Sequence, residues 1–267
     1  MPLSLQLLFP ELIGITSASL THLLRTLHPS LAEVRVEVFT GALLPGKDEV
    51  VQMAQVSWGR HRVQAVFVNT PLPPKLVKEI VDLAHYEDEL KAQARAHISH
   101  AVLLYRGEEV DPLEQYIALA MIAVGLTPLG AVVVANASAY TSYPAAPLLP
   151  LPGEDLNQLL RNLPLTALFV GFVRLEIDGQ EGVWMRTCGA PLLGLPDLAW
   201  RAASPDEGTE VFHRFNGMLH TMRDAGVSLG EGDMVEDGAR QWTLRKPRAN
   251  EGFLSSPRML VLEELAS

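Results

Sequence analysis

Two histidines three positions apart, His97 and His100, are the first residues in this chain that could do chemistry. On a helix face they could share a metal ion, and singly they titrate near neutral pH. If a strand has already begun at Ile98, however, successive side chains alternate and the two rings point to opposite faces. No carboxylate or further histidine lies close in sequence, so the expectation is a pair of structural or solvated rings. A second pair, His213 and His220, lies in a helical stretch whose apolar stripe is Val211, Phe212, Phe215, Met218, Leu219 and Met222. The helix also carries Asn216; His213 and His220 fall roughly opposite the stripe and face solvent, the other lobe or a partner. Two turns, about 10 Å along the axis, keep them from sharing one metal ion.

Arg186, between Trp184 and Thr187, could receive a carboxylate or phosphate through both arms of its guanidinium. The plainer reading has Trp184 and Arg186 covering the outer face of a sheet. Asn136, Ser138, Tyr140, Thr141, Ser142 and Tyr143 form a hydroxyl-rich loop after a Val-rich strand. Loops at strand ends are common places for ligands and partners, and a simple polar loop is the alternative. Cys188, the single cysteine, would need a thiolate-stabilising neighbour to act as a nucleophile. It reads better as a small buried hydrophobe.

Several chemistries are excluded. The chain has neither a phosphate-cradling glycine loop, a G-x-S-x-G elbow nor an H-E-x-x-H pair. Glu176, Asp178, Glu231, Asp233, Glu236 and Asp237 read as turn and edge carboxylates. One cysteine permits no intrachain disulfide and no Cys-based zinc site. No metal and no cofactor is expected. A net charge of −10, with 21 scattered basic residues, argues against nucleic acid as partner. The basic trio Arg245, Lys246 and Arg248 reads as a strand rim.

The elements that must position these residues are legible in part. Composition is that of a globular chain, 48% hydrophobic and 19% charged over 267 residues, enough for a sizeable core. Around Gly59-Arg60, a two-residue loop sets Val56 opposite Val63, Ala54 opposite Ala65, Gln55 opposite Gln64 and Ser57 opposite Arg62. Apolar meets apolar and polar meets polar, and glycine first in the loop suits a type II′ turn. Around Asp178-Gly179-Gln180, a three-residue loop would pair Leu175 with Val183 and Val173 with Met185, bringing Arg174 over Trp184.

Helices are expected over 76–84, with Leu76, Val77, Ile80 and Leu83 on one side and a polar continuation over 87–96. Another runs from Asp111-Pro112, with Glu114 placed for a capping box, to near Gly125. A short helix is expected over 155–162, and a long one over 209–225 with Gly226 as its cap. Residues 115–153 hold no charge, and Ile117–Ala135 is long enough to span a bilayer. Gly125, Pro128 and Gly130 cut that stretch into a buried helix, turn and strand, so no membrane is expected. The N-terminus lacks the basic start of a signal peptide, which with the cysteine count points to the cytoplasm.

Four prolines in the ten residues 144–153 suggest a connector. The expected fold class is α+β: two lobes of mainly antiparallel sheet, each packed by a long helix. Their bounds are 1–143 and 165–267, joined by a Pro-rich connector and short helix at 144–164.

Three blocks bear a resemblance: His97-Ile-Ser-His100 running into Ala101–Tyr105; Ala118-Leu119-Ala120 leading to Gly130–Val134; and Gly182-Val-Trp-Met-Arg-Thr-Cys-Gly189 with Leu193-Gly194 and Leu229–Val235. Together they resemble a bacterial family known only as a domain of unknown function, most closely over 168–262 and more loosely over 34–144. Tyr86 stands where its relatives often have tryptophan. The resemblance implies a self-contained bacterial α+β module and carries no site residue with it.

The functional expectation is a non-catalytic cytoplasmic protein-binding module, of the kind that serves as an immunity or adaptor protein in a bacterial conflict or secretion system. Its expected partner is another protein, with self-association as a variant. The competing expectation is a small hydrolase-type enzyme in which His97, His100, Asn136, Tyr140 and Arg186 converge between the lobes.

Overall fold

A computed structural model describes residues 2–42, 50–237 and 240–265. The chain divides into two compact units, Met1–Ala137 with Thr141–Leu163, and Ser138–Tyr140 with Pro164–Ser267. The fold is α+β with two mainly antiparallel sheets, as the sequence pattern leads one to expect.

The first unit is built on β1 (Ser4–Phe9), whose Leu5, Leu7, Leu8 and Phe9 are all fully buried. An apolar run without alternation belongs to a strand covered on both faces, and helices cover both here. After β1 come α1 (Ser17–Leu27), β2 (Arg35–Ala42), β3 (Val50–Trp58) and β4 (His61–Val68). Next are α2 (Pro74–Val77), which runs on into a π-helical turn at Lys78–Asp82, and α3 (Asp88–Arg95). Then follow β5 (Ser99–Tyr105), α4 (Pro112–Leu126), β6 (Val133–Asn136), β7 (Thr141–Pro144) and α5 (Leu156–Asn162).

The seven strands lie in the order β2-β3-β4-β5-β1-β6-β7, every neighbouring pair antiparallel. The π turn and its flanks pack on the face that carries Leu8, Val133 and Ala135. Alternation turns Leu5 and Leu7 to the other face, where α4 packs against β1, β5 and α1.

The β3–β4 hairpin has the expected register at all four pairs. Gly59 has φ +50° and Arg60 does not share a positive φ, the pattern of a type II′ turn. Asp111 caps α4, accepting from Leu113 N at 2.9 Å. Glu114 does not close the expected capping box: both its oxygens instead take the guanidinium of Arg161 on α5, at 2.9 and 2.8 Å. An ion pair with two parallel hydrogen bonds outcompetes a single bond to a backbone N–H.

The helix expected over 76–84 is shorter than its apolar spacing suggested, and Leu83 is exposed. Ile80 is fully buried as its spacing leads one to expect, and the π turn shifts the phase of the side chains after it, so the 3.6-residue count fails at Leu83. Helix α4 is buried all round, as a core helix should be. With the turn after it, residues 112–129 are the one segment among those described that is long and apolar enough to cross a membrane, and two thirds of it (67%) is buried within the protein. The stretch 144–153, read as a connector, clusters with the first unit. Leu148 in it, and Leu156 and Leu160 just after it, are fully buried.

In the second unit α6 (Leu165–Leu168) leads into β8 (Gly171–Leu175), β9 (Val183–Cys188), β10 (Asp197–Ala202) and α7 (Gly208–Asp224). The edge hairpin β11 (Met234–Asp237) and β12 (Arg240–Arg245) follows, and β13 (Met259–Glu264) closes the sheet. The order is β11-β12-β13-β10-β9-β8, with only β10 and β13 parallel.

Helix α7 covers the face carrying Trp242, Leu244 and Trp200, through Val211, Phe215, Met218, Leu219 and Met222. Phe172 meets Phe212 and Phe215 edge to face. Gly226 has φ +63° just past α7, the left-handed conformation of a helix-ending glycine. On the opposite face Trp184, Ala199 and Val261 pack under Phe253 and Leu254.

The β8–β9 register is one residue away from expectation: Leu175 lies opposite Trp184 and Val173 opposite Arg186. The loop is longer than three residues, and Gly182, at φ +75°, adds a second left-handed position to that of Gly179. Arg174 therefore does not cover Trp184, and the predicted cation–π pair is replaced by Trp184 edge to face with Phe253.

Candidate functional site

Of the residues singled out by type and spacing, His97, His100, Trp184 and Arg186 are held in structural hydrogen bonds. His97 is buried just before β5. Its Nε2 accepts from Leu72 N at 2.8 Å and its Nδ1 donates to Ala94 O at 2.8 Å, which fixes a neutral ring with the proton on Nδ1. Burial pushes its pKa below the ordinary histidine value, and the bond to Ala94 offsets part of that. His100, buried within β5, donates from Nδ1 to Thr70 O at 2.7 Å. No cluster of three metal-ligating side chains occurs among the described residues.

Asn136, at the end of β6, is fully buried beside Tyr116. Thr141 faces it across the β6–β7 pair and is buried too. Tyr140 belongs to the second unit, is 46% exposed and holds φ at +53°, a strained value for a residue with a side chain.

In the second unit Arg186 is only 9% exposed. Its Nε donates to Thr187 O, its Nη1 to Phe253 O and its Nη2 to Ser255 O, at 3.2, 3.2 and 3.3 Å. A guanidinium engaged by three backbone carbonyls is a clamp on the 253–255 segment and is not presented to a ligand anion. Trp184 donates from Nε1 to Gln180 Oε1 at 3.1 Å. Cys188 is buried, and burial pushes its thiol up to about 11, which keeps it a thiol.

The cluster next to these was not legible from spacing. Asp197, 3% exposed, accepts from Thr187 Oγ1 at 3.2 Å, Ala190 N at 3.1 Å and Ser256 Oγ at 2.6 Å. Burial raises its pKa above the ordinary aspartate value, although these bonds and Arg186 pull the other way. Its partners come from two distant segments, 187–190 and Ser256, so an aspartate opening an apolar strand was the only signal available.

His213 and His220 on α7 are exposed and half-buried respectively. His220 Nδ1 lies 4.0 Å from Asp224 Oδ2. His213 stands on the rim of an open groove of about 770 Å³ between α7 and the edge strand β11. Met218 and Met222 of α7, Val227 and Leu229 of the following loop, and Met234 and Val235 of β11 line it. Met234 is 60% exposed and Val227 46%.

Arg214 of α7 also lines the groove and ties it to the sheet. Its guanidinium lies 3.9 Å from the centre of Trp242 and 5.1 Å from that of Trp200, and it donates to Glu210 Oε1 at 2.9 Å. The same carboxylate takes Arg240 Nη1 at 3.3 Å. A cation held between two indoles and a carboxylate is a stiff base for a soft wall, because methionine is unbranched and adapts to what it meets. Sequence reasoning placed His213 correctly away from the core but missed the groove, which exists only where α7 passes over a strand some ten or more residues further on.

No family model, no curated protein and no solved structure matches this chain.

Proposed function

We propose that this protein is a non-catalytic protein-binding module whose working surface is the groove between α7 and β11. The observation that carries this reading is an open apolar groove on the second unit, with Val227 and Met234 uncovered at its margins. An exposed apolar concavity rimmed by polar side chains marks an interaction surface. The engagement of His97, His100 and Arg186 by backbone groups supports the same reading, since none of the three offers a free hydrogen-bonding face to a substrate. The bacterial family resemblance and the single buried thiol suit a partner met in a reducing cytoplasm, as for an immunity or adaptor protein.

The test is affinity capture by the full chain from extract of its native organism, with mass spectrometry of what is retained. The expected outcome is a stoichiometric protein that is lost when Val227→Asp and Val235→Asp are introduced, with circular dichroism unchanged. Retention of the same protein by that folded double variant sinks the assignment of the groove.

A further inference from the structure

Taking the groove as a protein-binding surface, we infer that its occupant is an extended segment of a partner protein, alternating apolar and basic residues, which adds a strand to the free edge of β11. The backbone bonding supplies the first argument. β12 engages the chain before β11 through Gly232 N to Leu244 O at 2.7 Å and Leu244 N to Asp233 O at 2.8 Å. Bonded pairs recur every second residue in an antiparallel ladder, so the next are Val235 with Trp242 and Asp237 with Arg240.

The N–H and C=O groups of Met234 and Glu236 therefore point away from the sheet. Among the described residues none of them has a hydrogen-bond partner. That is the open template of strand addition.

The side chains define what would fit. Val235 shares the α7 face with Trp242, so groove-facing positions of an added strand meet Met218, Met222 and Val227 and must be apolar. The alternate positions lie beside Met234 and Glu236. There a lysine or arginine lays its stem along the methionine and its charge against the carboxylate. Glu236 takes a bond from Gln241 Nε2 at 2.7 Å, which leaves its charge uncompensated by that partner.

Charge also decides against a second copy of this chain. Self-pairing of β11 would gather Glu236 from both copies on a protein of net charge −10. A basic strand complements what a second copy would repel.

The experiment titrates the full chain with three synthetic probes: a short peptide alternating valine and lysine, the same peptide with glutamate for lysine, and an amphipathic helical peptide of leucine and lysine. Amide exchange is followed by NMR. The valine–lysine peptide is expected to bind, to slow exchange of the Met234 and Glu236 amides about tenfold or more, and to bind at least about tenfold more tightly than its glutamate counterpart.

Glu236→Pro removes one outward donor while leaving the ladder to β12 intact, because proline is tolerated at an edge where its missing N–H faces solvent. It is expected to weaken the peptide about tenfold or more. Glu236→Gln keeps the donor and removes only the charge, and is expected to weaken it less. Unchanged affinity in Glu236→Pro, or binding without protection of those two amides, overturns strand addition. Binding of the helical peptide alone, indifferent to Glu236→Pro, overturns strand addition but leaves the groove as a protein-binding surface. If neither peptide binds, strand addition falls, and the capture experiment then judges the surface separately.

Discussion

At the scale of single residues, the strongest polar side chains in the second unit act as internal fasteners. Arg186 holds three carbonyls from two segments, and a buried acceptor left without its donor loses its full desolvation cost. Arg186→Met, which keeps the bulk and removes the donors, is expected to destabilise the protein by about 2–4 kcal/mol in urea unfolding. Asp197 carries the opposite lesson, because burial makes its charge expensive. Its folded pKa is raised, so the folded state holds the proton more tightly than the unfolded chain. The stabilisation from that proton is complete below the unfolded value, near pH 4, and is lost as pH rises through the folded value. Relative to Asp197→Asn, which cannot ionise, the wild type is expected to lose stability across that window as pH rises. Parallel urea midpoints at pH 4, 5, 6 and 7 check the sign, and a difference between the two that is flat with pH, or that grows in the wild type's favour, rules this account out.

At the scale of elements, the π turn in the first unit has an identifiable cause. Ser142 Oγ donates to Ile80 O at 2.7 Å and meets Tyr86 OH at 2.9 Å, so a carbonyl inside the widened turn is satisfied from β7. Ser142→Ala leaves that buried carbonyl without its side-chain donor and is expected to cost about 1–3 kcal/mol. Tyr86→Phe removes only the outer link and should cost less, about 0.5–1 kcal/mol; the reverse order in urea unfolding would assign the turn to another cause. The same contrast explains what was legible in the sequence. The β3–β4 hairpin could be read to the residue because one glycine at a two-residue loop leaves a single register that matches both faces. The β8–β9 hairpin could not, because Gly179 and Gly182 both permit left-handed backbone and loop length was free to vary. The capped starts of α4 and α7's apolar stripe are local and were readable. The π turn, the Asp197 cluster and the groove depend on partners many residues away, and no periodicity encodes them. Among the candidate site residues, only the outward placement of His213 and His220 led toward the surface proposed here.

At the scale of the whole molecule, the division into two units has an energetic consequence. Each unit has its own sheet and its own covering helix, and each helix buries its apolar face within its own unit: α4 through residues such as Leu119, α7 through Phe215. Both side chains are fully buried. A cavity at either site removes packing that cannot be recovered by small shifts, at about 2–5 kcal/mol for Leu119→Ala and about 3–5 kcal/mol for Phe215→Ala. If each core is a cooperative body in its own right, the two losses must appear in different places. Scanning calorimetry of the full chain is expected to resolve two overlapping components. Leu119→Ala should lower one by roughly 5 °C or more, and Phe215→Ala should lower the other by a comparable amount. A single transition moved equally by both substitutions would mean that the chain unfolds as one cooperative body. In that case a partner bound at the groove of the second unit would stabilise the first unit to the same extent, through mass action on the shared native state. With two components, ligand in the groove raises only the transition that Phe215→Ala lowers, so the same instrument also reports which unit carries the binding surface.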